Sequence, residues 1–139
     1  MALASLTHYS DKLRCGIDMF GISNLVTFLE NSEEWFRDYR RAEYGDERDP
    51  EVRAFLESIS PVNQADKIKF PLLVYQGKND ARVPVIEARQ IVDKVRAQGG
   101  EVWYIEAANE GHGISKPQNG FYVGAAAFAF LEKHLLEKD

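Results

Sequence analysis

Two kinds of apolar run alternate along this chain. Leu72-Leu73-Val74-Tyr75 is apolar without a break, the mark of a strand covered on both faces, as in a parallel sheet. Glu101–Glu106 repeats the pattern with Val102, Trp103, Tyr104 and Ile105. Cys15–Phe20, with Ile17, Met19 and Phe20 stopped by Gly21, predicts a third strand, in which Asp18 is out of place.

Between these runs the period changes to 3.6. Ala88, Ile91, Val92 and Val95 stand at i, i+3, i+4 and i+7, and Gly99-Gly100 ends that helix as a C-cap does. Asp49-Pro50 supplies an N-cap and a proline for the first helical position, ahead of Val52, Phe55, Leu56 and Ile59. Asn31 with Glu34 three residues on has the form of a capping box, and Trp35, Tyr39 and Ala42 share one face of the helix that follows. Ser23 or Asn24 caps a short helix through Leu25, Val26, Phe28 and Leu29. Met1–Tyr9, rich in alanine, reads as the tail of a helix. A last helix runs from about Asn119, apolar at Val123, Ala126, Ala127, Phe130 and Leu131, with Glu132, Lys133, Glu137 and Lys138 solvating its end. Strands alternating with helices imply an α/β fold on a parallel sheet.

Composition narrows the picture. The 139 residues, 45% hydrophobic, suit one domain with a core. A net charge of −5 gives no electrostatic footprint for a phosphate backbone, so no nucleic acid partner is expected. No apolar run reaches the roughly 20 residues needed to cross a bilayer, and Met1–Asp11 has neither the basic start nor the cleavage pattern of a signal peptide. A soluble protein is the expectation. Cys15 is the one cysteine, which excludes an internal disulfide.

Candidate chemistry sits in the loops. In an open parallel sheet, sites form outside the C-terminal ends of the strands. Asp80 follows the second strand in Gly77-Lys78-Asn79-Asp80-Ala81-Arg82-Val83-Pro84, and His112 follows the third in Glu110-Gly111-His112-Gly113. Their separation of 32 positions fits one helix and one strand, which brings the two loops to neighbouring strand ends. An aspartate that accepts the Nδ1 proton of histidine leaves Nε2 free to take a proton from a nucleophile. Taken singly, each residue is a common loop residue; the ordered pair favours chemistry. A metal site from Asp80, Glu110 and His112 lacks ligand-type spacing, and no metal or cofactor is called for. No nucleophile stands out. Gly21-Ile22-Ser23-Asn24-Leu25 and Gly113-Ile114-Ser115-Lys116-Pro117 both lack the closing glycine of a nucleophile elbow. Ser23 is better explained as a cap, Ser5 lies in the first helix, and Cys15 lies in a strand.

The chain resembles the C-terminal part of the peptidase domain of the prolyl oligopeptidase family of serine peptidases, which includes acylaminoacyl and dipeptidyl peptidases. The likeness rests on Ser60-Pro61, Pro71-Leu72-Leu73, Gly77–Pro84, Glu110–Gly113, Lys116–Asn119 and the terminal Phe130–Leu135, and runs over nearly the whole chain. It implies an α/β-hydrolase portion with about three parallel strands and flanking helices, in which Asp80 and His112 are triad members. It implies for Arg82 a grip on a substrate backbone carbonyl, with a structural ion pair as the other reading. In the family the serine elbow stands just ahead of residues like Met1–Leu6. Residues 1–139 are therefore expected to be a partial peptidase domain without nucleophile, inactive towards peptides alone. A binding or structural module, or part of a carboxylesterase, are the competing readings. On the fragment reading, the strand at Cys15–Phe20 becomes an open edge, and a homo-oligomer joined there is expected.

Overall fold

The structure, a computed structural model, describes residues 1–136. Three parallel strands, β1 (Gly16–Met19), β2 (Leu72–Gly77) and β3 (Val102–Ala107), lie in the order β1-β2-β3. Gly16 pairs with Leu72, and Leu72 with Val102. All of β2 is buried, as its unbroken apolar run requires, while β3 is half-buried throughout. β1 is one residue shorter at each end than the sequence pattern indicates. Cys15 precedes it, and Phe20 leaves it in a left-handed conformation (φ 58°).

The helices cover both faces. α1 (Ala2–His8) and α5 (Ile86–Ala97) pack Leu3, Leu6, Ala88, Ile91, Val92 and Val95 against Leu72 and Val74. Each of the leucine, isoleucine and valine side chains, taken out of water, contributes about 1.5–3 kcal/mol. α6 (Pro117–Leu131) lies against the opposite face, where the Phe130 ring meets Trp103 edge-on at 5.5 Å. It begins two residues before Asn119, because Pro117 fits the first turn, and passes into a π-helical turn at Glu132–Leu136. Glu137 and Lys138, expected to solvate its end, lie outside the described residues. No helix among the described residues is long and apolar enough to cross a membrane.

α2 (Leu25–Glu30), α3 (Glu34–Tyr44) and α4 (Pro50–Ile59) form a small lobe. Its core joins Val26, Phe28, Leu29 and Leu56 to Val83 of the β2–α5 loop, so the lobe sits on the loop that carries Asp80. Asp49 caps α4 through Glu51 N–H (2.8 Å) and Val52 N–H (3.3 Å). Three local expectations change. Asn24 caps α2, and Ser23 is buried instead against Glu87. Asn31 ends α2 and donates from its amide to Thr27 O, so no capping box forms with Glu34. In α3 the inward face is Phe36, Arg40 and Tyr44, with Arg40 stacked 4.5 Å from the Phe36 ring centre, while Trp35 and Tyr39 point outward. A guanidinium laid over aromatic rings replaces the expected Trp–Tyr stripe as the packing surface.

Candidate active site

The apolar run of β2 ends at Gln76-Gly77, and the chain turns sharply towards α5. Asp80 folds back on that turn: its Oδ1 accepts Arg82 N–H at 2.8 Å and Val83 N–H at 3.0 Å, an Asx turn that fixes the carboxylate. Oδ2 then faces His112 Nδ1 at 2.8 Å and the Gln76 side-chain amide at 2.8 Å. The Asp80 side chain is fully buried, while His112 is 33% exposed. An ionised carboxylate only accepts, so Nδ1 carries the proton in this contact and Nε2 is the free nitrogen. Nε2 has no partner among the described residues.

Backbone contacts join the two loops. Lys78 N–H donates to Ala107 O and Asn79 N–H to Glu110 O, each at 2.9 Å. Gly77 sits so close to the other loop that a Cβ there would stand 2.1 Å from Gly111 O, far inside van der Waals contact. The His112 loop is also closed on itself. The Glu110 carboxylate accepts from Ser115 N–H (3.2 Å), Ser115 Oγ (2.6 Å), Lys116 N–H (2.8 Å) and Asn119 Nδ2 (2.8 Å). Those donors, led by Ser115 and Asn119, hold its pKa down at about 2. Glu110 is thus a staple between the β3 end and α6. Tyr75 OH donates to Gly113 O at 3.1 Å, at a residue whose φ of 152° favours glycine. The Phe20 ring lies 4.9 Å from the imidazole and 5.4 Å, edge-on, from Tyr75. A left-handed phenylalanine costs roughly 1–3 kcal/mol, a strain that stays only where packing enforces it.

Arg82, exposed and in no ion pair among the described residues, lines a groove of about 510 Å³ with Trp35, Tyr39 and Ala81. Ser23 donates to Glu87 O at 2.6 Å, and Ser115 is engaged with Glu110, so neither hydroxyl faces His112. Cys15 is half-buried, and burial raises its thiol pKa, which works against a thiolate. A second cavity of about 850 Å³ opens beside the end of β1, lined by Met1, Asp18, Phe20, Ile22, Leu25 and Tyr44. Asp18, 4% exposed, turns in with its Oδ2 unpartnered among the described residues, and burial pushes its pKa up to about 6.

The sequence pattern singled out Asp80 and His112, and the family resemblance added Arg82, but neither pointed to their supports. Gln76 was detectable as an amide inside a doubly covered strand, where a polar group needs a partner. Tyr75 and Phe20 gave no such signal, since each also suits a core.

Residues 1–138 match the model of the prolyl oligopeptidase family. Dipeptidyl aminopeptidase BIII of Pseudoxanthomonas mexicana is 37% identical over 136 residues, 96% of this chain and 20% of that protein. Dipeptidyl peptidase family member 6 of Caenorhabditis elegans is 32% identical over 137 residues, 96% of this chain and 18% of that protein. The chain thus spans about a fifth of the length of these relatives. A puromycin-hydrolyzing peptidase of Mycobacterium tuberculosis superposes with a TM-score of 0.87 at 27% identity, over 96% of this chain and 20% of that one. The Pyrococcus horikoshii acylaminoacyl peptidase shares the fold, with a TM-score of 0.85 at 23% identity over 97% of this chain and 22% of that one.

Proposed function

The chain belongs to the prolyl oligopeptidase family, and on that premise we propose that residues 1–139 are the Asp- and His-bearing part of a serine peptidase's α/β-hydrolase domain. The observation that carries this is the Asp80 Oδ2–His112 Nδ1 contact of 2.8 Å, its carboxylate buried and its imidazole reaching the surface. Asp80 holds the Nδ1–H tautomer. His112 Nε2 takes the proton of a serine hydroxyl as that oxygen attacks the peptide carbonyl, and returns it to the leaving amine. Asp80 stabilises the imidazolium between the two transfers. Arg82, whose guanidinium has no ion-pair partner among the described residues, donates to a backbone carbonyl of the bound peptide. The serine and its oxyanion hole come from sequence outside residues 1–139, so this chain alone does not turn over peptides.

Two assays test this. Residues 1–139 incubated with dipeptide and acyl-amino-acid anilides and with aryl esters show no turnover and no labelling by a fluorophosphonate. Turnover that His112→Ala abolishes would place the nucleophile inside this chain and overturn the fragment reading. In a polypeptide that also carries a Gly-x-Ser-x-Gly turn, Asp80→Asn lowers kcat by about 10⁴. Unchanged kcat there refutes the assignment of Asp80.

Among the described residues β1 is paired on one side only, with Met19 42% exposed. A second copy of the chain adds its own β1 along that edge, giving a homodimer. Sedimentation of a monodisperse monomer at micromolar concentration overturns it.

A further inference from the structure

We infer that Gln76 is the positioning residue that holds the Asp80 carboxylate towards His112. The inference rests on the proposed roles of that pair but is tested apart from them.

Gln76 lies at the end of β2, fully buried. Its side-chain nitrogen faces acceptors only: Asp80 Oδ2 at 2.8 Å, Val83 O at 3.1 Å and, at a longer 3.4 Å, Gly77 O. A flipped amide would set its oxygen against a carboxylate and carbonyls, so the acceptors fix its orientation. The amide has two hydrogens, and the two nearest acceptors take them. One is the carboxylate oxygen that also receives His112; the other is the carbonyl that closes the 76–83 turn. Gln76 therefore ties the start of the turn, its end and the acid to one nitrogen.

The other end of the amide shows what that costs. Gln76 Oε1 is buried with no partner among the described residues. A buried acceptor left unpaired is destabilising, and an aliphatic residue here would avoid it. Retaining glutamine in a strand otherwise filled by Leu72, Leu73, Val74 and Tyr75 serves the donor end. Asp80 Oδ1 is held by backbone whatever occupies position 76. Oδ2, the oxygen that meets the base, has Gln76 as its one donor besides His112 among the described residues.

The test is nitrogen-15 and proton spectroscopy of the His112 ring in residues 1–139, for wild type, Gln76→Leu and Gln76→His. In wild type the ring shows the Nδ1–H tautomer and a slowly exchanging, downfield Nδ1 proton. Gln76→Leu, which removes the orphan oxygen together with the donor, keeps a cooperative thermal transition but loses that proton resonance to exchange. Gln76→His restores it, because histidine Nε2–H reaches about as far as the glutamine amide. An unchanged Nδ1 proton in a folded Gln76→Leu protein overturns the inference while leaving the Asp80–His112 pair intact. Absence of the signal in wild type refutes the pair itself. If Gln76→Leu unfolds, the folded Gln76→His variant decides: retention of the resonance supports the donor role, and its loss refutes it.

Discussion

Asp18→Asn separates the energetic cost of one buried carboxylate from everything else in the fold. Asp18 is 4% exposed beside the cavity at the β1 end, with one oxygen unpartnered. Burial raises its pKa from 3.8 to about 6, against smaller opposing pulls from the N-terminal ammonium and the Gly21 N–H. The folded state thus holds this proton more tightly than the unfolded chain. The stabilisation that results is complete below pH 3.8, is lost as pH rises through about 6, and is absent above. The loss amounts to about 3 kcal/mol. Asparagine is neutral throughout and keeps the acceptor for Gly21. The stability difference between variant and wild type should therefore be flat in acid and climb by about 3 kcal/mol across that window. In a chain of this size that corresponds to roughly 10 °C in Tm at neutral pH. Glu110 and Glu106, whose pKa values are lowered to about 2 by their donors, give the opposite slope. They are present in both proteins and cancel in the difference. Urea unfolding followed by tryptophan fluorescence, in buffers spanning the window, measures it. Parallel pH profiles for the two proteins refute the reasoning, whatever their absolute offset.

Other perturbations probe the remaining joints. Glu87 is fully buried and accepts from Ser23 N–H at 3.1 Å, Asn24 N–H at 2.8 Å and Thr27 Oγ1 at 2.6 Å. Glu87→Ala strands those donors and should cost on the order of 3 kcal/mol in urea unfolding; a loss below about 1 kcal/mol would show that water replaces the carboxylate. Asp49→Ala removes the α4 cap and should cost about 1 kcal/mol, read as a lower Tm; an unchanged Tm would show the cap to be redundant. Met19→Lys places a charge on the open β1 edge and should leave the chain monomeric in sedimentation where the wild type forms the proposed dimer; a variant that still dimerises would put the interface elsewhere.

The legible parts of this fold were those where one period dominates. The β2 run and the Ala88–Val95 stripe announced a strand and a helix because burial on a sheet leaves no other pattern. The α3 region misled because aromatic residues occupied both of its faces. Arg40, which no apolar pattern includes, proved to be the packing group, since a guanidinium stacks as well as it solvates. In the site, the chemistry-bearing side chains were visible because their loops follow strands in order. Their restraints were at best half visible, Gln76 as an amide in a covered strand and Tyr75 not at all: Gln76 to Val83 O and Tyr75 to Gly113 O are side-chain-to-backbone bonds, and the acceptor leaves no trace in residue identity.

The contact of Gly77 with Gly111 O has a consequence for how such a chain can drift. Any other residue at position 77 forces its Cβ to within 2.1 Å of a carbonyl oxygen, and backbone cannot step aside as a flexible side chain does. The two loops must part, and Asp80 and His112 part with them. A lineage could keep both residues and still lose the pair through this one silent-looking change.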